Sequence, residues 1–313
     1  LVLALGEGRE DALFARYCTL AAIGTIADVM RMEGENRTIV QCGLESIDRS
    51  DFTGLHALLR EAGLTSRPIS SIQIGFVLAP RINAAGRMGR AELAAELLLT
   101  DDPVRAEKLA RELCELNRER QSVEQDIFRR AIEQMESLPE SERSALVLSS
   151  EDWHQGVIGI VASRIVEAYY RPVLILCSDG ETLKGSGRSV PEFDLHAGLT
   201  RCADILLGFG GHRQAAGLRI APGRLDELRE RFDAVIREEL GEEPLTPSLK
   251  IDAEMPFSQA SDFTVLKGLE LLQPFGIGNP EPIFASLPLR VKKRKAFGHS
   301  REHISLEVTE EGS

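Results

Sequence analysis

The sequence is short of the residues that staple small folds or hold zinc. Its 313 residues include five cysteines, at positions 18, 42, 114, 177 and 202. They are scattered, odd in number and free of any CxxC spacing, which excludes a zinc ribbon and a disulfide framework and points to a reducing cytoplasm. Aromatic residues make up 5%, with a single tryptophan, Trp153. No two of the six histidines are adjacent. No apolar run approaches the ~20 residues that span a bilayer, so no membrane is expected. The opening "LVLALGEGRE" lacks the basic flank and cleavage site of a signal peptide. Positive charge is in deficit, with a net charge of -12. That excludes a surface coated for nucleic acid, though not a local basic groove. The first residue is not Met and the last stretch, "HISLEVTEEGS", stops just after a strand pattern. Both ends read as cuts in a longer chain.

What is present is an ordinary soluble composition, long enough for two or three domains. Residues 1–100 carry apolar residues at three-to-four spacing and read as helical. The first helix is expected to break at Gly24, and Pro80 to end or kink the helix in "SSIQIGFVLA". Residues 101–138 read as one long connecting helix with a narrow seam, Leu109, Leu113, Leu116 and Val123. The rest of that helix reads as solvated, bracing two domains. Residues 139–243 alternate strands and helices, the pattern of a small α/β domain. Here "KGSGRSV" reads as an edge strand and "DLHAGLTRCADILLGF" as a helix ended by Gly208, Gly210 and Gly211. A Glu/Pro/Thr/Ser linker leads to residues 244–313, short strands of an incomplete β-module.

Six stretches carry candidate chemistry. In "GTIADVM", Asp28 stands where a helix stops, either capping a turn or serving as an oxygen ligand for a hard cation. In "APRINAAGRMGRAE", Arg81, Asn83, Arg87 and Arg90 sit among small residues that permit close approach of a phosphate, or are solvated arginines at a helix start. His154 stands at a strand-to-helix turn, where backbone amides can hold an anion or where the helix simply begins. In "LKGSGRS", strand alternation would place Lys184, Ser186 and Arg188 on one face. The fifth, "GFGGHRQAAG", has more glycine than a turn needs, and Gly210, Gly211 and His212 could form an anion nest. The basic run Val291 to His299, with Lys292, Lys293 and Arg294 near Phe297, suits single-stranded nucleic acid or a solvated edge.

In this order, "GTIADV", "APRINAAGRMG", "HQGVIGIVASRI", "KGSGRS", "FGGHRQAAG" and "LLQPFGIGNPEPIF" resemble the RecJ-type single-strand-specific DNA exonucleases of the DHH phosphoesterase superfamily. The resemblance covers nearly the whole chain. It implies an α/β architecture: the helical C-terminal part of a DHH domain, a long connecting helix, a small α/β DHH-associated domain with a mixed sheet, and a partial β-barrel resembling an OB-fold. It implies a 5′→3′ exonuclease on single-stranded DNA in recombination and repair, with two Mn²⁺ or Mg²⁺ ions. Asp28 then becomes a catalytic metal ligand and His212 a catalytic residue. Arg81, Asn83, Arg87, His154, Lys184, Ser186, Arg188, Gly210, Gly211, Lys292, Lys293 and Arg294 become substrate contacts. Single-stranded DNA is the implied partner, with a single-strand-binding protein and a repair helicase by analogy, acting on a cytoplasmic monomer. The Asp-His-His triplet that names the superfamily is absent and is expected upstream of Leu1, leaving this piece alone inactive. Two other readings stay open: a relative acting on short oligonucleotides or cyclic dinucleotides, and an inactive DNA-binding scaffold.

Overall fold

A computed structural model describes residues 8–65, 68–139, 145–241, 245–260, 262–298 and 303–310. His299 and the linker residues Glu242 to Pro244 lie outside these. In chain order the helices are α1 Glu10–Ala27, α2 Gly34–Ser46, α3 Thr53–Glu61, α4 Ala79–Arg87, α5 Ala91–Leu99 and α6 Pro103–Ser137. Strand β1 is Leu146–Ser150, followed by α7 Gln155–Tyr169, β2 Val173–Ser178, β3 Leu183–Arg188 and α8 Leu195–Thr200. Then come β4 Leu206–Gly211, β5 Ala215–Ile220 and α9 Leu225–Leu240. The last stretch holds β6 Ala253–Glu254, α10 Phe257–Ala260, α11 Phe263–Leu272, β7 Phe284–Ala285, β8 Leu289–Phe297 and β9 His303–Glu310. No described helix is long and apolar enough to cross a membrane.

The chain divides into two compact units, one of residues 1–51, 64–79 and 248–313, the other of 52–63 and 80–247. In the first, α1 and α2 cross closely at Gly43, where an added Cβ would stand 2.4 Å from the Cβ of Ala22. Helix α1 does not break at Gly24 but runs on to Ala27, because one glycine costs only ~1 kcal/mol of helix propensity. Arg37 donates to the carbonyls of Leu271, Leu272 and Gln273 and so caps the end of α11. Strands β6 and β7 pair in parallel, and β8 and β9 form an antiparallel hairpin.

Pro80 does not end its helix. A π-helical turn, Ile74–Leu78, precedes it, and Ala79 N–H donates to the carbonyl of Ile74. The widened turn accommodates a residue that lacks an N–H and crowds the carbonyl four residues back.

The second unit is built on a five-stranded mixed sheet in the order β1-β2-β3-β5-β4, with β1 and β2 parallel and the other neighbours antiparallel. Alternate residues of β2 serve two cores. Val173, Ile175 and Cys177 pack with α6 and α7, while Leu174 and Leu176 pack with Phe193, Phe232 and Ile236. The segment "KGSGRS" is therefore central in the sheet, not an edge. Its glycines explain this. A Cβ on Gly185 would meet Leu218 at 2.6 Å and one on Gly187 would meet Leu174 at 2.6 Å, so neighbouring leucines fill the space over the strand.

Residues Leu206 to Gly211 also depart from expectation: they form a strand, not a helix end. The chain leaves α8 at Thr200 and takes one 3₁₀ turn, Ala203–Ile205, before extending. Phe209 pairs opposite the buried Leu218, and Gly210 opposite Gly217, so the period is two.

The long helix is not solvated along its whole length. Leu109, Leu113 and Leu116 are buried, and so are Asn117, Arg120 and Glu124. At the sheet margin, Gln134 of α6 donates to the carbonyl of Ser149 and accepts its N–H, Arg229 donates to the carbonyl of Val147, and Asp233 accepts the N–H of Ala145.

Candidate phosphate-binding site

Strand β3 places Lys184, Ser186 and Arg188 on the face opposite Gly185 and Gly187. Helix α7 covers that face through its own small residues. A Cβ on Gly159 would lie 2.9 Å from Ser186 Oγ and 3.2 Å from Arg188 Nη2. Arg188 Nη1 donates to Ser186 Oγ at 3.1 Å and to the carbonyl of Gly187 at 2.8 Å. One turn earlier, a Cβ on Gly156 would stand 2.0 Å from the backbone oxygen of Arg87. This contact brings the end of α4 against the start of α7, and Arg87 Nη1 donates to the carbonyl of Gly156 at 3.3 Å.

Arg87, Ser186 and Arg188 thus meet beside the first turns of α7. Arg87 opens to solvent, yet dense surroundings and the nearby Arg120 hold its guanidinium below the ordinary arginine range, against the pull of Glu124. Arg188 is lowered too, by burial first and then by Arg87. Two partly desolvated guanidiniums acting on one another, with the Ser186 hydroxyl held by Arg188, have the chemistry that receives an anion.

The other candidate residues fall differently. Asn83 and Arg87 are one helical turn apart and share a face of α4, whereas Arg81 projects from another side. His154 caps α7: its Nδ1 accepts the N–H of Gly156 at 3.1 Å, and its carbonyl accepts those of Val157 and Ile158. Three amides of the helix start are therefore already engaged. Lys184 Nζ lies 3.6 Å from Asp179 and 3.5 Å from the Gln155 side chain, so its charge is shared.

The glycine-rich stretch forms the β4–β5 hairpin. Gly211 has φ +147°, and a Cβ there would be 2.4 Å from the carbonyl of Ala215, so this turn requires glycine. His212 is exposed, and its N–H closes the hairpin on the carbonyl of Ala215 at 2.8 Å. The hairpin tip is tied down by Ser189 N–H to Gln214 and Leu195 N–H to Arg213. A Cβ on Gly208 or Gly210 would meet nothing, and one on Gly217 only the carbonyl of Gly185 at 3.8 Å. By register these three glycines continue the Ser186 face across the sheet as a bare floor.

In the other unit, Asp28 ends α1 through its backbone, whose N–H donates to Gly24 at 3.0 Å, and Val29 follows at φ 57°. Asp28 is exposed, and among the described residues no group of three His, Cys, Asp or Glu could hold a metal ion. The residues present do not fit a complete metal centre. Lys292, Lys293 and Arg294 lie exposed on β8, with a register shift between Val291 and Lys293, and Phe297 stacks at 5.3 Å on His303 of β9.

The sequence reading missed Asn117, Arg120, Glu124 and Arg164. Arg120 and Glu124 look like a surface i,i+4 pair. The signal was their place: the spacing of Leu109, Leu113 and Leu116 projects the seam onto positions 120 and 124.

One pH dependence follows from the β2–β3 turn. Backbone hydrogen bonds from Thr182, then Glu181, hold the Asp179 carboxyl at about 2, with Lys184 adding to the effect. A carboxyl lowered on folding stabilises above its unfolded pKa and loses that contribution as pH falls toward the folded value. Asp179→Asn is therefore expected to lower the urea midpoint at pH 7, with the gap to wild type closing as pH falls from about 4 toward 2. The check is paired urea melts across that range.

Comparisons with known proteins agree with this architecture. Residues 142–238 match the DHHA1 domain, and residues 251–313 match the RecJ OB domain. The chain is 36% identical over 313 residues to the single-stranded-DNA-specific exonuclease RecJ of Bacillus subtilis (strain 168), covering 99% of this chain and 39% of that protein. The crystal structure of RecJ in complex with Mg²⁺ from Thermus thermophilus superposes with a TM-score of 0.83 at 36% identity, covering 94% of this chain and 45% of that one. The Mn²⁺ complex from the same organism gives 0.83 at 34% identity, covering 94% and 43%.

The fold and these matches define a DHHA1-domain protein with an attached OB-type module. The chain resembles the RecJ proteins over nearly its whole length, and it spans less than half the length of these relatives.

Proposed function

We propose that this chain is the phosphate-recognising part of a divalent-metal-dependent exonuclease that hydrolyses single-stranded DNA from its 5′ end in recombination and repair. The observation that carries the reading is the meeting of Arg87, Ser186 and Arg188 at α7, in a chain that resembles the RecJ proteins. The two arginines hold a substrate phosphate with Ser186 as a third donor. The bare floor of Gly208, Gly210 and Gly217 lets a sugar-phosphate backbone lie close to the sheet, with His212 at its end. Asn83, His154 and Lys184 line the approach, while Arg81, on another side of α4, is left out of it. Lys292, Lys293 and Arg294 track the strand by charge, with Phe297 available for stacking.

Two Mn²⁺ or Mg²⁺ ions belong to this reading through the relatives solved with those metals. Asp28 is the residue of this chain assigned to them, and one exposed carboxylate does not hold two ions by itself. What this chain supplies is binding and orientation of the phosphodiester. A cytoplasmic monomer working beside a single-strand-binding protein and a helicase completes the proposal.

Fluorescence anisotropy tests it. The chain is expected to bind labelled single-stranded DNA more tightly than a duplex of equal length. Binding confined to dinucleotides would favour a small-molecule phosphodiesterase, and no preference for single strands would refute the reading. Replacing Lys292, Lys293 and Arg294 with alanine should weaken binding and reduce the slope of log K against log salt by roughly two, at ~0.7 per lost contact on a single strand.

A further inference from the structure

Behind the phosphate pocket, α6 carries a charged cluster that a connecting helix does not need. Asn117, Arg120 and Glu124 are 4%, 8% and 9% exposed. Arg120 donates from Nη1 to Glu124 Oε2 at 2.5 Å and from Nη2 to Asn117 Oδ1 at 2.9 Å. The other oxygen of Glu124 accepts from Arg164 Nη1 of α7 at 2.9 Å, and the Arg164 guanidinium lies 4.2 Å over the ring of Phe128. Arg120 Nε is buried with no hydrogen-bond partner among the described residues. Helix α7 thus touches Glu124 through Arg164 and the pocket through Gly156 and Gly159.

The balance of charge is the informative feature. Glu124 pairs with Arg120 and Arg164 and acts on Arg87, while Arg87 acts in turn on Arg188, so four cations share this neighbourhood with that carboxylate. Burying a guanidinium with one nitrogen unsatisfied costs stability that a methionine or leucine at the same seam position would not. Arg120 also repels Arg87. An excess of cations held in place is favourable once an anion arrives, because each fixed charge then adds to its binding without reorganising.

We propose that Arg120, clamped by Asn117 and Glu124, is a positioning residue of the phosphate pocket: its fixed charge presses Arg87 toward the anion and strengthens the field there. This rests on the reading that Arg87, Ser186 and Arg188 receive a substrate phosphate. Arg120 acts through Arg87 and need not touch the ligand.

The test is calorimetric titration of the whole chain with inorganic phosphate, paired with urea melts. Arg120→Gln should weaken phosphate binding about tenfold and lower the urea midpoint, since Glu124 keeps only Arg164 as its buried partner. Arg120→Lys, which keeps the charge, should recover most of the affinity. In an Arg87→Gln background, Arg120→Gln should have almost no further effect on binding. Wild-type phosphate affinity in Arg120→Gln, or full additivity with Arg87→Gln, overturns the positioning role. If Arg120→Gln does not fold, the Lys variant decides: affinity lost with the fold intact overturns the charge argument. Absence of phosphate binding by the wild-type chain instead overturns the pocket reading, and this inference with it.

Discussion

Arg188→Ala is expected to weaken binding of single-stranded DNA by about thirtyfold while leaving the urea midpoint unchanged or slightly raised. Arg188 reaches the pocket from β3 and is held by Ser186 Oγ and the carbonyl of Gly187. Neither contact is a carboxylate, so its charge remains available to a phosphate. Loss of one desolvated charge-assisted contact is worth roughly 2 kcal/mol, which corresponds to that factor. Stability moves little or upward because the cation is already disfavoured by burial and by Arg87. Anisotropy and denaturation on the same preparation separate the two effects. Wild-type affinity in this variant would mean that Arg188 merely orders β3.

Gly156→Ala should act in the opposite way, on the fold first. The added Cβ would sit 2.0 Å from the backbone oxygen of Arg87 and 2.9 Å from its carbonyl carbon. Backbone cannot rotate aside as a side chain can, so α4 and α7 must separate. Overpacking of this kind costs about 1–3 kcal/mol, and a backbone clash falls at the upper end or beyond. For a two-state unit that is a clear fall in the urea midpoint. Binding should fall as well, since Arg87 rides on the displaced segment. Gly86→Ala is the control: a Cβ there meets nothing within 4 Å, and both measurements should stay near wild type.

The contrast between those two glycines marks what the sequence could tell. Element types were legible wherever the apolar period was strong: α9 is found at Leu225–Leu240, and the β1–α7–β2 alternation is as expected. The shared face of Lys184, Ser186 and Arg188 followed from strand geometry alone. Sheet order did not, because local patterning cannot say which neighbour a glycine-bearing strand will meet. The glycines of "LLGFGG" pointed equally to a helix stop and to a strand with an uncovered face, and only pairing with β5 decides. Asn117, Arg120 and Glu124 were hidden for another reason. A polar residue on an apolar seam is visible only if the seam is projected past its last leucine. For Asp28 the expected role came from the family's motif alone, and among the described residues no group of ligands surrounds it.

The margin of the sheet at β1 has a consequence for how the chain behaves at high concentration. An edge strand normally presents a row of open donors and acceptors on which another extended chain can build. Here a glutamine imitates a peptide group against Ser149, while an arginine and an aspartate occupy Val147 and Ala145. Side chains from α6 and α9 stand in for a sixth strand and leave little of the ladder open. The β1 border thereby offers few free backbone groups for templated growth by another extended chain.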